Sequence, residues 1–176
     1  MIVYKQASTP RELEQILTLQ QQNLPKSLSQ NDMVKDGFLT VEHSLELLKE
    51  MNDMSQHIIA VENEKVVGYA LSMHPKFAES IDILKPMFHE INKVVKKRTN
   101  YMVMGQICIA KTHRGQGLFR KLYSNMKTHL PDGFDTIITE VDTKNQRSMN
   151  AHRAVGFVEL KNYSSDGKDW SLIIMQ

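Results

Sequence analysis

Gly105-Gln-Ile-Cys-Ile-Ala-Lys-Thr-His-Arg-Gly-Gln-Gly-Leu-Phe119 is the stretch on which the fold turns. Its first part continues an apolar, β-prone run from Met102 to Ile109, which reads as a buried central strand. His113-Arg-Gly-Gln-Gly117 reads as a turn. Beyond it Leu118, Leu122 and Met126, with Phe119, Tyr123 and Leu130, trace two adjacent stripes of a helix that Pro131-Asp132-Gly133 ends. A strand that runs through a glycine-flanked turn into a helix has a definite electrostatic character. Glycine lets the backbone approach a ligand closely. The first amides of a helix are unpaired and its dipole adds positive potential, so the turn is a candidate phosphate cradle. Short glycine patterns also make ordinary strand–helix turns. No Gly-Lys-Ser/Thr follows, which excludes a nucleoside-triphosphate P-loop, and the third glycine of a dinucleotide fingerprint is missing.

Outward from this stretch, Ile2-Val3-Tyr4 is short and β-prone. Thr9-Pro10 opens a helix carried by Leu13, Ile16, Leu17 and Leu19. Leu24 to Gly37 reads as loop, and Thr40 or Ser44 starts a second helix through Leu45, Leu47, Leu48 and Met51. Residues 57–62 and 65–73 read as strands joined by a short Asn63-Glu64 hairpin. Phe77 to Arg98 has helical spacing, interrupted by Pro86. After the central helix come a strand at Thr136–Val141, a short helix from Asn145 to Gly156, and two closing strands at Phe157–Leu160 and Trp170–Met175. The order is β, α, α, β, β, insertion, β, α, β, α, β, β. Its second half implies parallel pairing through right-handed crossovers.

The chain's 176 residues suit one domain spanning 1–176, with no repeat or low-complexity linker. With 41% hydrophobic and 24% charged residues, the composition excludes disorder, a collagen-like fibre and a coiled coil. One cysteine excludes an internal disulfide framework and a Cys-rich zinc site, and suits a reducing cytosol. The seven histidines show no zinc spacing. No apolar run approaches the ~20 residues that span a bilayer, and no secretory signal is visible. A cytoplasmic protein that uses neither metal nor membrane is expected.

A second informative segment is Asn145-Gln-Arg-Ser-Met-Asn-Ala-His-Arg-Ala-Val-Gly-Phe157. Its asparagine lies just past a strand end, in the crevice where open α/β sheets bind ligands. Ser148 and His152 are four apart and share a helical face. Each residue alone reads equally as a cap, a small packing residue and a surface histidine. Together and in this order the two segments resemble the GNAT superfamily of N-acetyltransferases. That family carries a Gln/Arg-x-x-Gly-x-Gly/Ala loop after its fourth strand and a later Asn-x-x-Ala/Ser followed by Tyr and Gly-Phe. Arg114, Gly117, Asn145, Ser148, Gly156 and Phe157 match. Two positions depart: Phe119 takes the last Gly/Ala position of the loop, and His152 takes the tyrosine position.

The resemblance implies a GNAT acyl-CoA N-acyltransferase fold of the α/β class. Its central mixed sheet is flanked by helices, here with a helical insertion before the fourth strand. It also implies acetyl-CoA as cosubstrate, a primary amine as acceptor, and neither metal nor covalent intermediate. The pyrophosphate would take amides of the loop Arg114-Gly115-Gln116-Gly117-Leu118-Phe119. The pantetheine arm would pair with Ile107, Cys108 and Ile109 like a strand. Asn145 is a candidate partner for the arm from the opposite side, with Ser148 beside it. The end of the same strand is a candidate oxyanion donor. His152 is the first candidate for the acid that protonates the leaving thiolate, or else orients the substrate. Glu140 is the best candidate base, against a role in packing or substrate recognition. Many family members carry a glutamate on the central strand, where this chain has Gln106, which cannot titrate. Cys108, in an apolar strand, is a poor nucleophile.

The segment Leu24–Val41, with Asp32, Asp36 and Phe38, is expected to border the amine, and the insertion from Ser72 to Arg98 is a candidate lid. The main alternative is a non-catalytic GNAT-fold module that binds CoA thioesters as a sensor or scaffold. A nucleic-acid binder ranks lower, because Tyr101, Phe119 and Tyr123 fit core stripes better than stacking platforms. The oligomeric state is open, a homodimer being one option. The formal charge of +2 is unevenly spread. Between Ile91 and Pro131 there is no acid and there are nine bases: Lys93, Lys96, Lys97, Arg98, Lys111, Arg114, Arg120, Lys121 and Lys127. The remainder has 13 bases against 20 acids, a balance of −7. Arg114, Arg120 and Lys121 are thus expected near the donor's phosphates.

Overall fold

A computed structural model describes residues 1–96 and 99–176; Lys97 and Arg98 of the basic block lie outside the described residues. The described elements run β1 (Val3–Gln6), α1 (Pro10–Gln21), α2 (Gln30–Asp36), α3 (Leu45–Met54), β2 (Ile58–Glu62), β3 (Lys65–Met73), α4 (Lys85–Val94), β4 (Tyr101–Ile109), α5 (Leu118–Thr128), β5 (Thr136–Asp142), α6 (Gln146–Val155), β6 (Val158–Ser165) and β7 (Lys168–Met175). The strands form one mixed sheet in the order β1-β2-β3-β4-β5-β7-β6.

Local chemistry accounts for the element boundaries. Thr9 accepts from the amide of Glu12 while the Glu12 carboxylate accepts from the amide of Thr9, a reciprocal cap at the start of α1. Ser44, rather than Thr40, caps α3. Pro86 stands in the first turn of α4, where its missing N–H has no helical partner to lose, so it opens the helix instead of interrupting it. The stretch read as loop between Leu24 and Gly37 contains α2, capped by Ser29. The last hairpin turns at Asp166-Gly167, and β7 returns between β5 and β6. Parallel pairing is therefore limited to β4 with β5, while β5 meets β7 antiparallel.

The sheet has an apolar layer on each face. One holds Ile16, Leu48, Met51, Met87, Phe88 and Ile91 from α1, α3 and α4; the other holds Leu118, Leu122, Tyr123, Met126 and Met149 from α5 and α6. The insertion is part of the first layer: α4 is buried there, and Glu90 pairs with Lys161 of β6 at 2.5 Å. Two irregularities then shape the centre of the sheet. Ala70 pairs with Ile107 but Ser72 pairs with Met104, so β4 carries one extra residue at Gly105–Gln106. The bulge reverses side-chain parity: Val103 and Cys108 fall in the same layer, Met104 and Ile107 in the other. Secondly, β4 and β5 pair only over Tyr101–Val103 and Thr136–Ile138. Beyond that the two strands diverge.

Leu122 is fully buried beneath the turn that opens α5. Leu122→Ala is expected to cost about 2–5 kcal/mol in unfolding free energy, read from urea denaturation.

Candidate active site

The divergence of β4 and β5 opens a cleft of about 310 Å³ between the loop that follows β4 and the first turn of α6. Ile107, Cys108 and Ile109 line it from the strand. Arg114, Gly115, Gly117, Leu118 and Phe119 line it from the loop, and Asn145 and Ser148 from α6. Gln116 is the one expected loop residue not on this wall: it is exposed and its amide donates to the carbonyl of Thr112. Gly115 and Gly117 have φ of +75° and +80°, a region that disfavours side chains, and a Cβ on either would meet open space. Gly117 precedes α5 with no side-chain cap, so the first amides of α5 have no side-chain partner.

The two departures from the family pattern lie against each other. The Phe119 ring packs edge-on to His152 at 5.0 Å and to Tyr123 at 5.2 Å. His152 is 2% exposed. Its Nδ1 bonds the Ser148 carbonyl at 2.8 Å, an acceptor that requires the ring N–H there. Its Nε2 is 2.7 Å from the Tyr123 hydroxyl and accepts from it. Burial pushes the His152 pKa down to about 4. The ring is thus neutral, with both nitrogens committed inside the protein. The acid role expected of His152 would need a proton on a nitrogen aimed at a thiolate, and in this structure both nitrogens face protein partners.

Asn145 is also committed. Its carbonyl oxygen caps α6 by accepting from the Ser148 amide, and its NH₂ donates to the Phe38 carbonyl at 3.2 Å. Gly37 fits this contact. Its φ is +79°, and an added Cβ would stand 3.1 Å from the Asn145 oxygen. Phe38 and Leu39 thereby wall both this larger cleft and a smaller cleft of about 70 Å³ beside it. The smaller cleft takes Gln106 from the β4 bulge, Thr139, Glu140 and Asp142 from β5, and Trp170 from β7.

Glu140 and His152 both line this cleft with strongly altered acidity, and Glu140 is the carboxylate of the two. Burial raises its pKa to about 7, opposed by a hydrogen bond that the Tyr163 hydroxyl donates to Oε2. Gln106 cannot share such a role. Its oxygen accepts from Tyr69 at 2.6 Å and Gln20 at 2.9 Å, and its nitrogen donates to the Val41 carbonyl at 2.7 Å. Burial drives the Cys108 thiol up to about 12, leaving it a thiol at neutral pH. Asp32 and Asp36, expected to border an amine, are each paired with a cation of the loop. Lys111 holds Asp32 at 2.9 Å, and Arg114 holds Asp36 at 3.0 Å. The expected cluster of phosphate cations is dispersed as well. Arg120 donates to the Ala154 carbonyl, and Lys121 lies over the Tyr4 ring. Arg147 also lines the larger cleft; apolar spacing does not mark it, and its place in the first turn behind the Asn145 cap is the signal the sequence offers.

A sequence profile described as the Acetyltransferase (GNAT) family matches residues 14–157. The chain belongs to the acetyltransferase (GNAT) family. Solved GNAT structures share its fold at low identity. The ribosomal-protein-S18-alanine N-acetyltransferase from Escherichia coli is 15% identical, with a TM-score of 0.65 over 99% of this chain and 93% of that one. NAA60 from Arabidopsis thaliana, solved with a bisubstrate analogue, is 12% identical, with a TM-score of 0.70 over 99% and 97%. The protein yncA from Salmonella typhimurium, solved with acetyl-CoA, is 16% identical, with a TM-score of 0.64 over 100% and 94%. No curated protein matches the chain significantly. Among the described residues no helix is long and apolar enough to cross a membrane, and no group of three His, Cys, Asp or Glu is placed to hold a metal ion.

The buried ionisable groups set a pH dependence of stability. His43, His57 and His152 each have a pKa lowered to about 4, chiefly by burial. Below about 6.5 the unfolded chain takes up three protons that the folded one refuses, so stability falls as pH drops towards 4. Glu140 works in the opposite sense: its folded form keeps a proton between about 4.5 and 7 that the unfolded form releases. At about 1.4 kcal/mol per pH unit and group, the net loss between pH 7.5 and 4.5 is on the order of 5 kcal/mol, measurable by urea unfolding. Glu140→Gln removes the opposing contribution and should steepen the loss.

Proposed function

We propose that the protein transfers the acetyl group of acetyl-CoA directly to a primary amine, with Glu140 as the base. The observation that carries this reading is a carboxylate with its pKa near 7 in the small cleft that adjoins the donor cleft where β4 and β5 part. A base poised near neutral pH is the form that general-base catalysis requires.

The donor would lie along the larger cleft. Its pyrophosphate would meet the uncapped amides that open α5, and its pantetheine arm would lie against Ile107–Ile109. The acetyl carbonyl then falls beside the β4 bulge, where an amide outside the regular ladder can stabilise the oxyanion. The amine enters past Phe38 and Trp170 and gives up its ammonium proton to Glu140, directly or through one water. The neutral nitrogen attacks the carbonyl carbon, the C–N bond forms, the C–S bond breaks and CoA leaves as a thiolate. A second nitrogen proton is then shed, and the thiolate takes up one from solvent. We assign His152 an orienting role. With Tyr123 it packs edge-on against the Phe119 ring, so the loop keeps its shape although it lacks the family's small residue.

Three measurements test this. Acetyl-CoA should raise the melting temperature, and an amine panel should release free thiol. The kcat/KM for the amine should rise with pH through a midpoint near 7, because only ionised Glu140 can accept a proton. Glu140→Gln should lower kcat by about 100-fold or more while leaving acetyl-CoA binding intact. Stabilisation by acetyl-CoA without turnover on a broad panel would return the sensor or scaffold reading. An unchanged kcat in Glu140→Gln would remove Glu140 from the base role.

A further inference from the structure

Among the described residues, the donor cleft has two basic side chains in its lining, and they stand in opposite situations. The Arg114 guanidinium has its charge paired and three of its five N–H donors engaged within the protein. Its Nε donates to the Ile109 carbonyl at 3.1 Å, one terminal nitrogen donates to the Asn23 oxygen at 2.6 Å, and the other pairs with Asp36 at 3.0 Å. These partners come from the end of β4, the segment after α1 and the end of α2. Lys111, three residues earlier, is shared by Asp32 and Asp36 at 2.9 and 3.9 Å. Two loop cations thus face two carboxylates of α2, and their charges cancel locally. Arg147 makes no hydrogen bond or ion pair among the described residues, and it is exposed at the rim. It also stands in the first turn of α6, which contains no acidic residue. A cation at the positive end of a helix is electrostatically costly on its own. An anion lying in the cleft would remove that cost for the helix and the side chain at once.

We infer that Arg147 is the side chain that meets the phosphate charge of the donor, and that Arg114 is a positioning residue that holds the Asp36–Leu39 wall between donor and amine. This rests on the acetyl-CoA reading above. The Arg114 charge is already paired with Asp36, a side chain only 14% exposed, and three of its five N–H donors are engaged, so a phosphate would have to share it with Asp36 and Asn23. Arg147 gives up nothing in the protein to meet one.

The test compares Arg147→Gln, Arg114→Gln, Asp36→Asn and the double variant Arg114→Gln/Asp36→Asn, all checked for folding by circular dichroism. The probe is CoA, titrated calorimetrically at several salt concentrations. Arg147→Gln should weaken CoA binding about tenfold and flatten its salt dependence, since a screened charge contact is gone. The amine KM should stay near its wild-type value. Arg114→Gln should leave the CoA Kd within about threefold, raise the amine KM several-fold, and speed amide hydrogen exchange at residues 36–39. Asp36→Asn should move the same readouts in the same direction. The double variant should add little to either single change, because both act on one ion pair. It also keeps the assignment testable should Arg114→Gln, which strands a carboxylate, fail to fold. A loss of CoA affinity in Arg114→Gln equal to that in Arg147→Gln, or an unchanged CoA Kd in Arg147→Gln, overturns the assignment. Wild-type protein that binds no CoA overturns the donor reading itself, a different result from wild-type binding that Arg147→Gln leaves intact.

Discussion

Hydrogen bonding between β4 and β5 stops after three residue pairs, and the site exists because of that early stop. A sheet that kept its ladder would leave no room at its centre. Here the strands part, and each must satisfy its polar groups and side chains by other means. The bulge at Gly105–Gln106 alters the face each β4 side chain takes just where the opening begins. On the far side Asn145 caps α6 and reaches to the Phe38 carbonyl. The opening is therefore bounded by backbone and buried side chains. A cleft built this way is largely formed before any ligand arrives, which lowers the ordering cost of binding.

The same geometry decides where the titrating carboxylate stands. Gln106 occupies the central strand with all three of its protein hydrogen bonds made, in a network with Gln20, Tyr69 and the Val41 carbonyl. A glutamate at that position would lose the donor to Val41 and bury a charge against that carbonyl oxygen. Glu140, on β5, reaches the same opening from the other strand. It keeps one carboxylate oxygen against the Tyr163 hydroxyl and has its acidity raised by burial. In the proposed reaction, a carboxylate on this lip rather than the other would set the direction from which a proton leaves the amine. The opening itself is unchanged.

Much of this was legible in the chain. Apolar spacing and cap residues located α1, α5 and α6, and the glycines of the loop marked the turn into α5. Asn145 and Ser148 were found through their order after the strand. What spacing could not deliver was the direction of a side chain. Arg114 and Arg147 are both basic residues near the start of a helix. Only the packing of α2, itself hidden in a polar stretch without a long apolar stripe, shows that one is paired with a carboxylate and the other is not. His152 illustrates the same limit. A histidine four residues from a serine reads as surface chemistry until Tyr123 and Phe119 are seen closing over it. The missed return of β7 between β5 and β6 is a third case, since β-strand pairing across the chain is not encoded in local alternation.

Charge shows the difference between composition and arrangement most directly. The basic stretch around the loop suggests a strong positive field for an anionic donor. In the folded chain Lys111 and Arg114 are neutralised by Asp32 and Asp36, Arg120 turns to a carbonyl, and Lys121 turns to an aromatic ring. The positive potential left in the cleft comes from oriented amides at the start of α5 and from one arginine on the opposite lip. Amides are rigid and carry no counter-ion, so they bind phosphate without first being desolvated as full charges. The cancelled pairs do different work. They fasten α2 to the loop, and α2 carries into place the Phe38–Leu39 wall shared by the two clefts. A loop whose cations were all free would attract the donor more strongly and leave that shared wall unfastened.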